Sequence, residues 1–148
     1  AGASGELEFE TFRSQLTIQQ LLPLLGGTMK RNLDLIKLIL LEYEKLPPPP
    51  HGIMKIEVPN FSDDEVIYHQ KLLMDDDYIL GNSQMYLGGS QDFFPERLTN
   101  KGHDFLEKMK NETAWKKTKD TIIEVGGGFA LDIVSALITA TIKAQLGL

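Results

Sequence analysis

Cysteine is absent from the chain, which excludes disulfides, thiolate nucleophiles and the commonest structural zinc sites together. A chain without thiols is compatible with a reducing compartment, and the expected location is the cytoplasm. Cations are scarce as well: 15 Lys and Arg stand against 21 Asp and Glu, a formal charge of -6. That balance disfavours simple electrostatic adhesion to nucleic acid or anionic lipid. The three histidines, His51, His69 and His103, are too scattered for a metal-ligand spacing and read as surface or partly buried imidazoles. The acidic runs "SDDE" (62–65) and "DDD" (75–77) lack the spaced oxygen ligands and central glycine of a calcium loop, so they read as solvated helix ends. "GGG" at 126–128 has no Lys-Ser/Thr behind it and reads as a hinge, not a phosphate loop. Serines and threonines are plentiful, but no nucleophile elbow, base and orienter emerge. No cofactor, no metal and no enzyme activity are expected.

What is present is ordinary globular material. With 148 residues, 42% hydrophobic and 24% charged, the chain has the size of one domain and can bury a core. The first 28 residues differ from the rest: "GELEF" is what two adjacent six-base restriction sites would encode, and Met29 with two basic residues behind it resembles a natural start. The expected organisation is a vector-derived or otherwise foreign segment at 1–28, a main domain at 29–125, and a glycine hinge with an apolar helix at 126–148. The alternative for the first segment is a native or grafted helix in "SQLTIQQLLPLL", capped by Ser14 and limited by Pro23.

Helical spacing runs through residues 32–46, where Leu33, Ile36, Leu40 and Tyr43 recur at three- and four-residue steps. "PPPPHG" then stops the helix as a stiff connector. "IMKIEV" alternates and predicts a short strand. In "FSDDEV", Ser62 and Glu65 form a capping box with Phe61 stapled onto Val66. The helix that follows, with Val66, His69, Gln70 and Leu73, runs to about Asp76, and an Asp in the left-handed region at its exit would explain the carboxylates there. "YILGNSQMYLGG" and "QDFFPERL" predict a hairpin with a glycine-containing turn. Thr99 is expected to cap a third helix, with Gly102 allowing close approach to the sheet and Phe105, Leu106 and Met109 packing on the core.

The order helix, short strand, helix, hairpin, helix predicts an α+β fold, a winged helix-turn-helix domain with extra C-terminal helices. "LTNKGHDFL" is similar to the post-wing segment "LTxxGxxFL" of many winged-helix regulators, and "HQKLLMDDDYI" resembles their recognition-helix exit. One departure bears on DNA binding: Asp77 stands where related proteins often have glycine or a small residue. More closely, "MKRNLDLIKLILLEYE", "FSDDEVIYHQKLL", "LTNKGHDFLEKMKNETAWKKTKD" and the apolar tail resemble the domain of unknown function numbered 2513. The resemblance covers about residues 29–148 and implies a phage or prophage protein of bacteria with low-GC genomes. That family lends no catalytic or ligand residues.

Two functions are weighed. The first is a DNA-binding transcriptional regulator that takes double-stranded DNA, with Tyr68, Gln70 and Lys71 on the reading helix and Arg97 and Lys101 near the wing holding phosphates. Asp63, Asp64 and Glu65 on that helix would repel phosphates. The alternative is a non-enzymatic protein-interaction module that binds a host or phage protein through its acidic helix or apolar tail. The lysines Lys108, Lys110, Lys116, Lys117 and Lys119 are either a basic patch or a solvated face balanced by Glu107, Glu112 and Asp120. Trp115 is expected to anchor its helix in the core. In the tail, Leu131, Val134, Leu137, Ile138 and Ile142 form a broad apolar face, expected to fold back or to pair in a homodimer. Too polar for a membrane span, the tail implies no membrane partner.

Overall fold

The computed structural model describes residues 29–148. Contacts divide the chain into two units, Ala1–Arg31 and Asn32–Leu148, and every element below belongs to the second. The readings of the segment before Met29 lie outside the described residues. The described fold is α+β: helices α1 (Leu33–Glu44) and α2 (Asp63–Asp75), an antiparallel hairpin of β1 (Ile79–Met85) and β2 (Gln91–Leu98), then helices α3 (Asn100–Met109), α4 (Glu112–Glu124) and α5 (Leu131–Gln145).

Helix α1 is the centre of the core, since Leu35, Ile36, Ile39 and Leu40 are wholly buried. Each such side chain contributes about 1.5–3 kcal/mol. Its start is double-capped: the Asn32 side chain accepts from the Leu35 amide at 3.1 Å, while the Asn32 amide donates to Nε2 of buried His69 at 2.8 Å. The His69 Nδ1 faces the Glu65 carbonyl at 2.8 Å, so the geometry assigns the proton to Nδ1.

Between α1 and α2 the sequence predicts a strand at residues 53–58, and there the structure differs. Ile56 and Val58 are buried, but Met54, expected on the same face, is exposed with Ile53, Lys55 and Glu57, so the alternation holds only from residue 55, and no ladder forms among the described residues. Side chains take the β2 edge instead of backbone amides. His51 Nε2 lies 2.9 Å from the Glu96 carbonyl, and Lys55 Nζ donates to Asp92 at 2.8 Å.

Helix α2 begins with the expected capping box and ends in a Schellman turn. The Tyr78 amide donates to the Leu73 carbonyl at 2.9 Å and the Asp77 amide to Met74 at 3.1 Å, with Asp77 left-handed at φ 64°. The hairpin turns through residues 86–90, with the Tyr86 amide bonded to Ser90 at 2.9 Å. A register irregularity between Leu80 and Gly81 leaves Glu96 as the extra residue of β2.

Thr99 caps α3, accepting from the Gly102 amide at 3.0 Å and donating to the Asp77 carbonyl at 2.6 Å. Phe105, Leu106 and Met109 are buried. The lysine-rich region is two helices: Asn111 interrupts it and caps α4 through the Ala114 amide at 3.0 Å. Trp115 is buried, with Lys119 Nζ 5.3 Å above its ring.

Gly126, Gly127 and Gly128 all have positive φ and reverse the chain into α5. Leu131, Val134 and Ile138 are buried in the chain's own core, and Leu137 and Ile142 pack partly against it. Of the two expectations for the tail, the structure shows folding back. Leu131, Val134 and Ile138 are covered by the chain itself, while Leu137 and Ile142 stay partly exposed on α5.

Candidate functional site

Of the five residues with a sequence case for DNA contact, Tyr68, Arg97 and Lys101 are exposed, Lys71 is half-buried and Gln70 is buried. Gln70 is the clear correction: it is 1% exposed. Its Oε1 accepts from the Tyr43 hydroxyl at 2.6 Å and its amide donates to the Val66 carbonyl at 3.4 Å. Burial pushes the Tyr43 hydroxyl far above its ordinary pKa, so it remains a neutral donor. Gln70 therefore satisfies a core hydroxyl and cannot reach a base edge.

Tyr68 stands on the exposed face of α2, edge-on to His69. Lys71 is half-buried and donates to Gln91 Oε1 at 2.6 Å, tying α2 to the start of β2. Arg97 is exposed at the end of β2, its Nη1 bonded to the Leu98 carbonyl at 3.0 Å and its Nε 3.8 Å from Glu96. Lys101 is the most constrained cation. Its Nζ donates to the Asp76 carbonyl at 2.9 Å, pairs with Asp132 at 3.1 Å and sits 4.6 Å above the Tyr78 ring. Asp132 also accepts from the Tyr78 hydroxyl at 2.6 Å. The Tyr78 bond, then Lys101, hold the Asp132 carboxyl below its usual range, while burial first and Asp132 second raise the Tyr78 hydroxyl. No single property of the sequence pointed to this trio, because its members lie far apart in the chain.

Other lysines are paired where they stand. Lys37 meets Glu112 at 2.9 Å, Lys119 meets Asp34 at 2.8 Å, Lys116 meets Asp120 at 3.2 Å, and Lys110 lies between Glu44 at 2.7 Å and Glu107 at 2.9 Å. Lys108 donates to Ser135 at 2.9 Å. Of the three acids expected to balance these lysines, Glu107 and Asp120 pair with Lys110 and Lys116, and Glu112 pairs with Lys37 instead. By contrast Asp63, Asp64, Asp75, Asp76 and Asp77 make no ion pair among the described residues.

The hairpin carries no Lys or Arg from residue 79 to residue 96. Its tip is apolar instead: Met85, Tyr86 and Leu87 are exposed, Leu87 completely. Behind the tip, Asp92 is held below its usual range by Lys55 first and Tyr86 second. An open groove of about 610 Å³ separates the proline connector from the hairpin, lined among others by Pro50, His51, Ile53, Met54, Phe94 and Glu96. Among the described residues no cluster of three or more His, Asp or Glu is placed to hold a metal ion. No helix of the described residues is long and apolar enough to cross a membrane.

The class defined by these features is a small α+β domain whose exposed α2 and hairpin side is acidic and apolar. The chain belongs to the family described as Hypothetical protein (DUF2513), whose model matches residues 30–128. Helix α5 lies beyond that matched stretch. A relative from Haemophilus influenzae, described as an uncharacterized protein, is 30% identical over 118 residues, covering 80% of this chain and 99% of its own. No solved structure matches the chain.

Proposed function

We propose that this chain is a winged-helix protein-interaction module, with the hairpin as its wing and α2 beside it as the contact helix. The winged-helix reading rests on the order of α1, extended segment, α2, hairpin and Thr99-capped α3, with residues 53–58 in the place of the missing strand. One observation carries the choice of partner. Where a duplex binder needs cations to neutralise phosphates, Asp63, Asp64, Asp75, Asp76 and Asp77 at the two ends of α2 make no ion pair among the described residues, and the hairpin tip is apolar. A protein surface with basic and apolar residues is complementary to both. The proposed partner is a phage or host protein, and the thiol-free composition suits the cytoplasm.

A photo-crosslinking residue placed at Leu87, with Lys117 on α4 as the comparison site, tests the reading in a bacterial lysate. The expected result is one protein captured from position 87 and not from 117. Fluorescence anisotropy against random duplex DNA should show no binding tighter than about 10⁻⁴ M at physiological salt. Micromolar, steeply salt-dependent binding that weakens with Lys71→Ala and Arg97→Ala would overturn the proposal in favour of a DNA-binding regulator.

A further inference from the structure

The two edges of the hairpin are treated differently. The outer edge of β2 is guarded: His51 occupies the Glu96 carbonyl, Lys55 pairs with Asp92, and Pro95 removes a backbone donor. Among the described residues the outer edge of β1 is bare. Ile79–Met85 contains no Lys and no Pro, and Asn82, Ser83, Gln84 and Met85 are exposed. Residues 80–85 make no backbone hydrogen bond beyond the ladder to β2 among the described residues. In an antiparallel pair about half the backbone N–H and C=O groups point away from the partner strand, so β1 presents a row of unused donors and acceptors.

The two ends of that edge have opposite chemistry. At its foot the chain leaves α2 through Asp75, Asp76 and Asp77, all exposed and without an ion pair among the described residues. At its top stand Met85, Tyr86 and Leu87.

We propose that the outer edge of β1 is a strand-addition site for an extended segment of a partner protein, apolar at its N-terminal end and basic at its C-terminal end. Antiparallel pairing is the more stable arrangement per residue. It sets the segment's start against the hairpin tip and its end against the three carboxylates. Main-chain hydrogen bonds hold the segment, and its direction is fixed by charge complementarity at the foot and apolar contact at the tip. This deepens the protein-interaction reading and rests on it.

The test begins with a displayed library of random twelve-residue peptides selected on the full chain. Enriched peptides are expected to alternate in polarity and to carry Lys or Arg toward the C-terminus. A synthetic winner should slow amide exchange in residues 81–85. Methylating its alternate backbone amides in one register should weaken binding at least about tenfold, and the other register should be tolerated, since only alternate amides face a neighbouring strand. The exposed double variant Asp75→Lys/Asp76→Lys, checked for folding by circular dichroism, should bind the winner at least about fivefold more weakly at low salt. No enrichment, winners without a basic end, protection elsewhere, or indifference to amide methylation overturns the proposal. Protection of the same amides that rises with protein concentration and needs no peptide would identify a second copy as the occupant, and also overturns it. If crosslinking at Leu87 still captures a protein in those cases, strand addition fails while the protein-interaction reading stands.

Discussion

Gly102 shows how tightly the turn from hairpin to α3 is drawn. A Cβ at this position would overlap the Tyr78 carbonyl oxygen, and that oxygen already accepts from the Thr99 amide at 3.1 Å. Neither group can yield cheaply, because the Thr99 hydroxyl is bonded at the same time to the Gly102 amide and the Asp77 carbonyl. Gly102→Ala is therefore expected to lower stability by about 1–3 kcal/mol, despite the better helix propensity of alanine. A urea melt is the check, and an unchanged or raised midpoint would refute the close-approach reading. Gln70 teaches the complementary lesson. By spacing it belongs with Val66, His69 and Leu73, and by chemistry with Tyr68 and Lys71; the Tyr43 hydroxyl 27 residues away decides for the core.

At the scale of elements, what was legible in the sequence was local. The Ser62–Glu65 box, the Asp77 exit and the Thr99 cap each depend on a few neighbouring residues, and all three stand in the structure. Residues 53–58 are extended without pairing among the described residues; alternation reports a half-buried extended segment and says nothing about who donates to whom. Ion pairs between distant residues are equally hidden from a local reading, since Lys119 and Asp34 lie 85 residues apart. His51 makes the difference measurable. Its ring nitrogens face the Gly52 carbonyl at 3.0 Å and the Glu96 carbonyl at 2.9 Å. Both are acceptors, so the doubly protonated ring is favoured and its pKa is raised, by Gly52 first and Glu96 second. A raised folded value means that the contribution is complete below the ordinary 6.5 and is lost as pH rises through the folded value. The His51 NMR titration should have its midpoint above 6.5, with faster amide exchange in residues 53–58 on the alkaline side of it. A midpoint at or below the ordinary value would remove His51 as the pin between connector and hairpin.

For the whole molecule the question is whether the glycine-linked α5 is an appendage or part of the same cooperative unit. Residues of all five helices and both strands belong to one buried cluster, and Tyr78, Lys101 and Lys108 bind α5 through Asp132 and Ser135. Detaching α5 would expose Leu131, Val134 and Ile138, at about 1.5–3 kcal/mol each, as well as the surfaces they cover. The total, roughly 5–9 kcal/mol, falls within the 5–15 kcal/mol by which whole domains are stable. Opening at the hinge thus saves little over unfolding everything, and α5 should not move alone. The single tryptophan, Trp115 on α4, reports on the core. Its fluorescence during a urea melt gives the global unfolding free energy, and the central amides of α5 give theirs by hydrogen exchange. The two are expected to agree within about 1 kcal/mol. An α5 that exchanges several kcal/mol below the global value would make the hinge a working joint, and would return its apolar face to the set of surfaces open to a partner.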